Sequence, residues 1–184
     1  MGTFEDTFTA AFWGEEVFPL PDWVKWKHIS EGLTHCPVYL KLDKCWFVDD
    51  AKPLLPQHPH CHCIVESIST DRVEKEANAE CRISKFEGYI FNPKYDYNGK
   101  RKLFEGWGYD IMDSEWLQKE FERQALEKYI RGEYVLKKLD KEGQRIDVEV
   151  KLPDRNKNRV ITVISGWMIR PSGQITLNTP LGDR

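Results

Sequence analysis

The chain has 184 residues, 40% of them hydrophobic and 31% charged, and carries a formal net charge of −3. That is enough for one substantial core with an appendage, and 12 Gly and 10 Pro spread along the chain exclude a fibrous or disordered protein. The charge is uneven: residues 1–81 hold 7 Lys/Arg against 14 Asp/Glu, a balance of −7, and residues 82–184 hold 20 against 16, a balance of +4. Neither half is extreme enough for an acidic DNA mimic or a histone-like binder.

At the N-terminus, Met-Gly-Thr-Phe-Glu-Asp is acidic where a secretory leader is basic, and no later stretch approaches the ~20 apolar residues that cross a bilayer. A cytoplasmic chain is expected. Phe4, Phe8 and Phe12 recur at helical spacing, and Phe18-Pro-Leu-Pro-Asp22 cannot continue a helix. Trp13, Trp23 and Trp26 follow no regular pattern and are expected to pack against the rest of the chain. All five cysteines (36, 45, 61, 63, 81) and all five histidines (28, 35, 58, 60, 62) lie before residue 82, which marks a compositional seam at residues 66–84. Within that seam, Ser67–Asp71 can cap a short polar helix from Arg72 to Cys81.

The second part reads as helices followed by strands, the order of an α+β fold. Leu103, Phe104 and Trp107 give one helix over Gly99–Trp107. Asp113 or Ser114 caps a longer one, with apolar positions Trp116, Leu117, Phe121, Leu126 and Ile130, ended by Gly132. The period then changes to two, predicting strands at Tyr134–Leu139, Ile146–Leu152, Arg159–Met168 and Gln174–Thr179, separated by short polar turns. The expected architecture is a small zinc-binding module (1–66), a connecting helix (67–83), and helices packed on a four-stranded antiparallel sheet (84–184). Val160–Ile164 is apolar on both faces and so is expected in the central strand.

Cys36, His58, Cys61 and Cys63 come from two short elements about twenty residues apart, a spacing that can close a tetrahedral structural zinc site. Thiolate and imidazole donors favour Zn²⁺ over Mg²⁺ or Ca²⁺. Cys45, His35, His60 and His62 are alternative ligands. In an extended segment Cys61 and Cys63 share one side and His62 takes the other, and Cys81 reads as a packed thiol. The front part has few periodic apolar runs, so bound metal, contributing on the order of 10 kcal/mol in small modules, is expected to hold it together.

The block Cys36-Pro37, Leu42-Asp43, Phe47 and His58-Pro59-His60-Cys61-His62-Cys63 resembles the C-terminal tail of phage minor head proteins of the Mu F-like head-morphogenesis family. That resemblance implies a treble-clef-like zinc knuckle over residues 30–65. Tyr39 stands where the family has its second cysteine, so His58 or Cys45 completes the ligand set. Residues 84–182 resemble domains found beside such proteins and grouped with barnase/EndoU/colicin/RelE-like nuclease folds. The likeness runs through Gly88–Pro93, Gly99–Phe104, Gly108-Tyr109, the long helix, Val160–Val163 and Ile175–Pro180.

Ribonucleases of that type move a 2′-OH proton with His or Glu and stabilise the phosphorane with Arg or Lys. The second part has no histidine, and the helix position where the family often carries one falls near Gln124, whose amide exchanges no proton at neutral pH. Lys100, Arg123, Glu149, Arg159 and Thr162 are the residues from which a histidine-free ribonuclease site could be built. The competing expectation is binding without catalysis. Lys100, Arg101 and Lys102, with Arg155, Lys157 and Arg159, interleave with Tyr95, Tyr97, Trp107 and Trp167 as a basic aromatic surface for nucleic acid or an acidic protein face. By likeness of class the chain is similar to anti-CRISPR proteins, which implies a counter-defence inhibitor acting in the host cytoplasm. Such an inhibitor would block nucleic acid loading by a host RNA-guided nuclease, with the acidic front residues Glu15, Glu16 and Asp22 as contacts. A ribonuclease effector and a phage head component are the alternatives.

Overall fold

In a computed structural model, residues 20–29, 39–56 and 61–182 are described. The front part, expected to be poor in regular structure, forms a three-stranded antiparallel sheet of β1 (Trp23–Lys27), β2 (Trp46–Val48) and β3 (Ile64–Ile68), in the order β2-β1-β3. Its strands are too short, and its tryptophans too irregularly spaced, for an alternating pattern to stand out. Trp23, Trp26, Trp46 and Phe47 are all buried, as expected for the first two.

Helix α1 (Thr70–Glu76) ends five residues before the expected boundary. Ala77 turns extended, and β4 (Asn78–Glu80) pairs in parallel with the last strand of the chain. A single turn of π-helix, Phe86–Ile90, then brings Phe86 and Ile90 into the core. Helices α2 (Lys100–Gly106) and α3 (Ser114–Ile130) match the periodicity of the sequence. Leu117, Phe121, Ala125 and Tyr129, four residues apart, form the buried stripe of α3, whereas Trp116, expected inside, is 41% exposed.

Strands β5 (Val135–Asp140), β6 (Gly143–Asp154), β7 (Arg159–Ile169) and β8 (Gln174–Thr179) form the expected meander. The sheet has five strands rather than four, because β4 adds to its edge in the order β4-β8-β7-β6-β5. β7 is central, as its apolar character implies. On β6, Ile146, Val148, Val150 and Leu152 face the core and alternate with Asp147, Glu149 and Lys151 on the open face.

The two parts share one core. Tyr129 on α3 packs edge-on against Trp23 at 5.0 Å and donates its hydroxyl to the Trp46 carbonyl at 2.7 Å. The Tyr134 hydroxyl accepts from the Val48 amide at 3.0 Å and donates to the Ala51 carbonyl. The β7–β8 turn docks on the front sheet, with the Ser172 amide bound to the Lys44 carbonyl and Gly173 beneath Trp46. Gly173 has φ +77, and a Cβ there would overlap the Trp46 ring, so both backbone and space call for glycine.

Candidate functional site

β5 pairs with β6 only as far as Asp147, so the rest of that β6 edge needs other partners. Gln124 of α3 supplies them: its Nε2 donates to the Lys151 carbonyl at 2.7 Å, and its Oε1 accepts the Lys151 amide at 2.8 Å. One residue type with both donor and acceptor thus stands in for a neighbouring strand. Further along, the Tyr109 hydroxyl donates to the Pro153 carbonyl at 2.7 Å, and Pro153 has no N–H to satisfy. Burial pushes the Tyr109 hydroxyl pKa up to about 12, so it is a donor at neutral pH.

These contacts clamp the loop between α2 and α3 onto the β6–β7 turn. The Arg155 amide binds the Trp107 carbonyl, the Asn156 side chain donates to the Gly106 carbonyl, and Gly108 (φ +87) leaves room for the Arg155 and Asn156 side chains. Asp110 and Asp113 form a capping box on the 3-10 turn Ile111–Asp113 that leads into α3; contrary to expectation, the Asp113 side chain does not cap α3 itself. On this frame the Tyr109 and Trp116 rings stack at 5.8 Å. The Arg155 guanidinium lies 4.4 Å from the Tyr109 ring centre, 5.5 Å from that of Trp116 and 2.8 Å from the Asp113 carboxylate. Beside them Ile111 is 51% exposed and Met112 86%.

The β6–β7 turn meets the end of α2, whereas Lys100, Arg101 and Lys102 occupy its first turn, so the two basic segments are not brought together, and three of their six cations are already paired with carboxylates. Arg101 pairs with Glu105 at 2.7 Å, Arg155 with Asp113, and Arg159 with buried Asp154 at 3.0 Å. Lys100 turns away, donating to the Leu181 carbonyl at 2.7 Å and the Thr179 hydroxyl at 3.4 Å. The Lys102 and Lys157 side chains alone, of the six, have no ion pair or hydrogen bond among the described residues. The aromatic part of the expectation needs correction. Trp167 is fully buried, its indole N–H bound to Ser165, Trp107 packs on Phe104, and Tyr95 packs against Tyr89. The Tyr97 side chain lies outside the described residues. Trp116, Ile111 and Met112, which carry the exposed surface, were read as core or passed over. The signal for them was the apolar pair Ile111-Met112 set between capping aspartates, where no core position is expected.

Of the proposed zinc ligands, Cys36 and His58 lie outside the described residues, as do His35, His60, Glu15 and Glu16. Cys61 and Cys63 are half-buried with His62 exposed between them, the alternation expected. His28, absent from the sequence-derived set, places Nδ1 3.4 Å from Cys63 Sγ, and its amide binds the Asp43 carboxylate. Burial, together with the neighbouring Cys61, pushes the Cys63 thiol pKa up. Cys45 is fully buried, its thiol donating to the Lys41 carbonyl and pushed up to about 12 by burial, so it is a core thiol rather than a ligand at this surface. Cys81 is likewise packed. Among the described residues no group of three His, Cys, Asp or Glu is arranged to hold a metal. Asp22 is exposed beside Asp49 and Asp50.

The five ribonuclease candidates do not converge. Glu149 and Thr162 lie on the open face of the sheet. Arg123 lies on α3, which covers the other face, and is held by Glu120 and Glu127. Arg159 is at the β6–β7 turn and Lys100 at the C-terminal segment.

No helix among the described residues is long and apolar enough to cross a membrane. Neither a curated protein nor a solved structure matches the chain. Residues 72–177 match a family described as a domain of unknown function, DUF6883. The match begins within α1 and ends within β8, and so takes in β4 to β7 and the first four residues of β8. By that match, over more than half its length, the chain belongs to the DUF6883 family.

Proposed function

We propose that the protein acts by binding another protein, docking it on the surface formed by Ile111, Met112, Trp116 and Arg155. The exposure of Met112 at 86%, beside a stacked Tyr–Trp pair crossed by an arginine, carries this reading. Trp, Tyr, Met and Arg are the residues enriched at protein interfaces, and the capping box and ring stack hold this set in place before a partner arrives. Charge favours a protein over a nucleic acid. Two uncompensated lysines would release counterions for about two phosphates, a loss of about tenfold in affinity between 50 and 200 mM salt, well short of a dedicated nucleic-acid site.

The test is affinity capture by the wild-type chain and by Met112→Asp and Trp116→Ala, with thermal unfolding of each variant as the control for folding. A partner retained by wild type and lost by both folded variants is expected. Equal capture by all three would overturn the reading. The partner recovered separates the settings suggested by the sequence: a host RNA-guided nuclease for counter-defence, a portal or capsid protein for a head component.

We further propose that the front part holds a structural zinc through Cys61, Cys63, His28 and a donor from the adjoining segments, Cys36 or His58. Support comes from the 3.4 Å between His28 Nδ1 and Cys63 Sγ. With Zn–S near 2.3 Å and Zn–N near 2.0–2.1 Å, two ligands of a tetrahedral zinc stand about 3.5 Å apart. Elemental analysis should find one zinc per chain, lost in Cys61→Ser with Cys63→Ser; folded, metal-free wild type would contradict it.

A further inference from the structure

The open face of the large sheet carries a cleft of about 500 Å³ where β4, β8 and the end of β7 meet, remote in the fold from the α2–α3 loop. Three cations line it, Arg82, Lys85 and Arg170, against one carboxylate, Glu80. Glu80 is already engaged, accepting from the Gln174 amide at 3.1 Å and lying 3.6 Å from Arg82. Among the described residues, eight of the nine arginines have a carboxylate within ion-pair distance; Arg170 is the ninth. It is instead oriented by neutral groups, with Nε 3.3 Å from the Thr176 hydroxyl and Nη1 3.0 Å from the Glu142 carbonyl. Lys85 is half-buried and fixed by the Asn178 carbonyl at 2.7 Å, again with no carboxylate partner among the described residues.

Positive charge that is partly desolvated, held in place and left without a counter-charge has been arranged at a cost that a bound anion would offset. We propose that this cleft binds a phosphate monoester of about nucleotide size. The excess of two positive charges matches a dianionic phosphate. Beyond the cations, the Gln174 and Asn178 side chains offer amide donors and acceptors, and Met168, Pro171 and Leu177 give an apolar wall for the organic portion. Burial, reinforced by Arg82, lowers the pKa of Lys85, and an anion beside it would raise that pKa.

The experiment is titration of the full chain at low salt with adenosine 5′-monophosphate, inorganic phosphate and adenosine, read by calorimetry and by the NMR signal of the Lys85 side chain. Saturable binding of the monophosphate is expected, weaker for inorganic phosphate and absent for adenosine, with the Lys85 pKa rising on saturation. Arg170→Met and Lys85→Met should each weaken binding about tenfold or more, since each removes a charge-assisted hydrogen bond. Glu80→Gln, which keeps the contact with Gln174 and removes the opposing charge, should tighten it. That gain guards against a cationic variant that merely fails to fold. Absence of saturable monophosphate binding, equal binding of adenosine, or affinity unmoved in Arg170→Met and Glu80→Gln would overturn the proposal. Variants of the α2–α3 loop leave this readout untouched, so failure here and failure of the docking surface are separable.

Discussion

Gln124 holds both backbone groups of Lys151, so replacing it with alanine strands an N–H and a C=O along a part-buried edge. The expected loss for Gln124→Ala is about 2 kcal/mol, within the range for buried polar groups deprived of partners, measured by urea unfolding with an unchanged far-UV spectrum. A change within error would mean that water or a neighbouring side chain takes over the edge. The residue itself was singled out in the sequence, as an amide that exchanges no proton. Its partner was not, because that depends on β5 pairing with β6 only as far as Asp147, a tertiary fact with no local signature. The same limit applies to Arg155. Its charge is visible in the sequence, whereas its neutralisation by Asp113 and its place over Tyr109 require the loop and the turn to be brought together.

At the scale of elements, the β6–β7 turn rests on Asp154. Its buried carboxylate accepts from the Arg159 guanidinium and from the Asn156 and Lys157 amides. Burial alone would raise its pKa, but the Arg159 hydrogen bond and the two amides outweigh it and hold the carboxyl below its ordinary value. A depressed carboxylate stabilises the fold above the unfolded-state pKa of about 4, and that contribution is lost as pH falls through the folded value. Asp154→Asn should therefore be less stable than wild type at pH 7, and the gap should narrow near pH 3. A constant gap would assign the loss to packing instead. The helices and the four-strand meander were legible because their periods are local and sustained. β4 was not: Asn78-Ala79-Glu80 carries no strand pattern and becomes one by pairing with β8. The front sheet escaped notice because its strands of three to five residues are too short to show alternation.

For the molecule as a whole, the front sheet and the DUF6883 domain are joined by a continuous core through Tyr129, Tyr134 and Trp23, so the compositional seam at residues 66–84 is no mechanical boundary. The sequence shows the seam because cysteine and histidine stop there; it cannot show that the aromatic residues on either side pack together. The charge asymmetry is likewise tempered in the fold, where nine of the nineteen described cations of the second part pair with carboxylates. The central claim is that the loop between α2 and α3 docks a protein. Its most direct test is a photo-crosslinking amino acid placed at position 112 and, as a control, at exposed Lys138 on β5, followed by irradiation in cells that express the chain. The account predicts a discrete protein adduct from position 112 and none from position 138; no adduct at 112, or the same adducts from both positions, would contradict it.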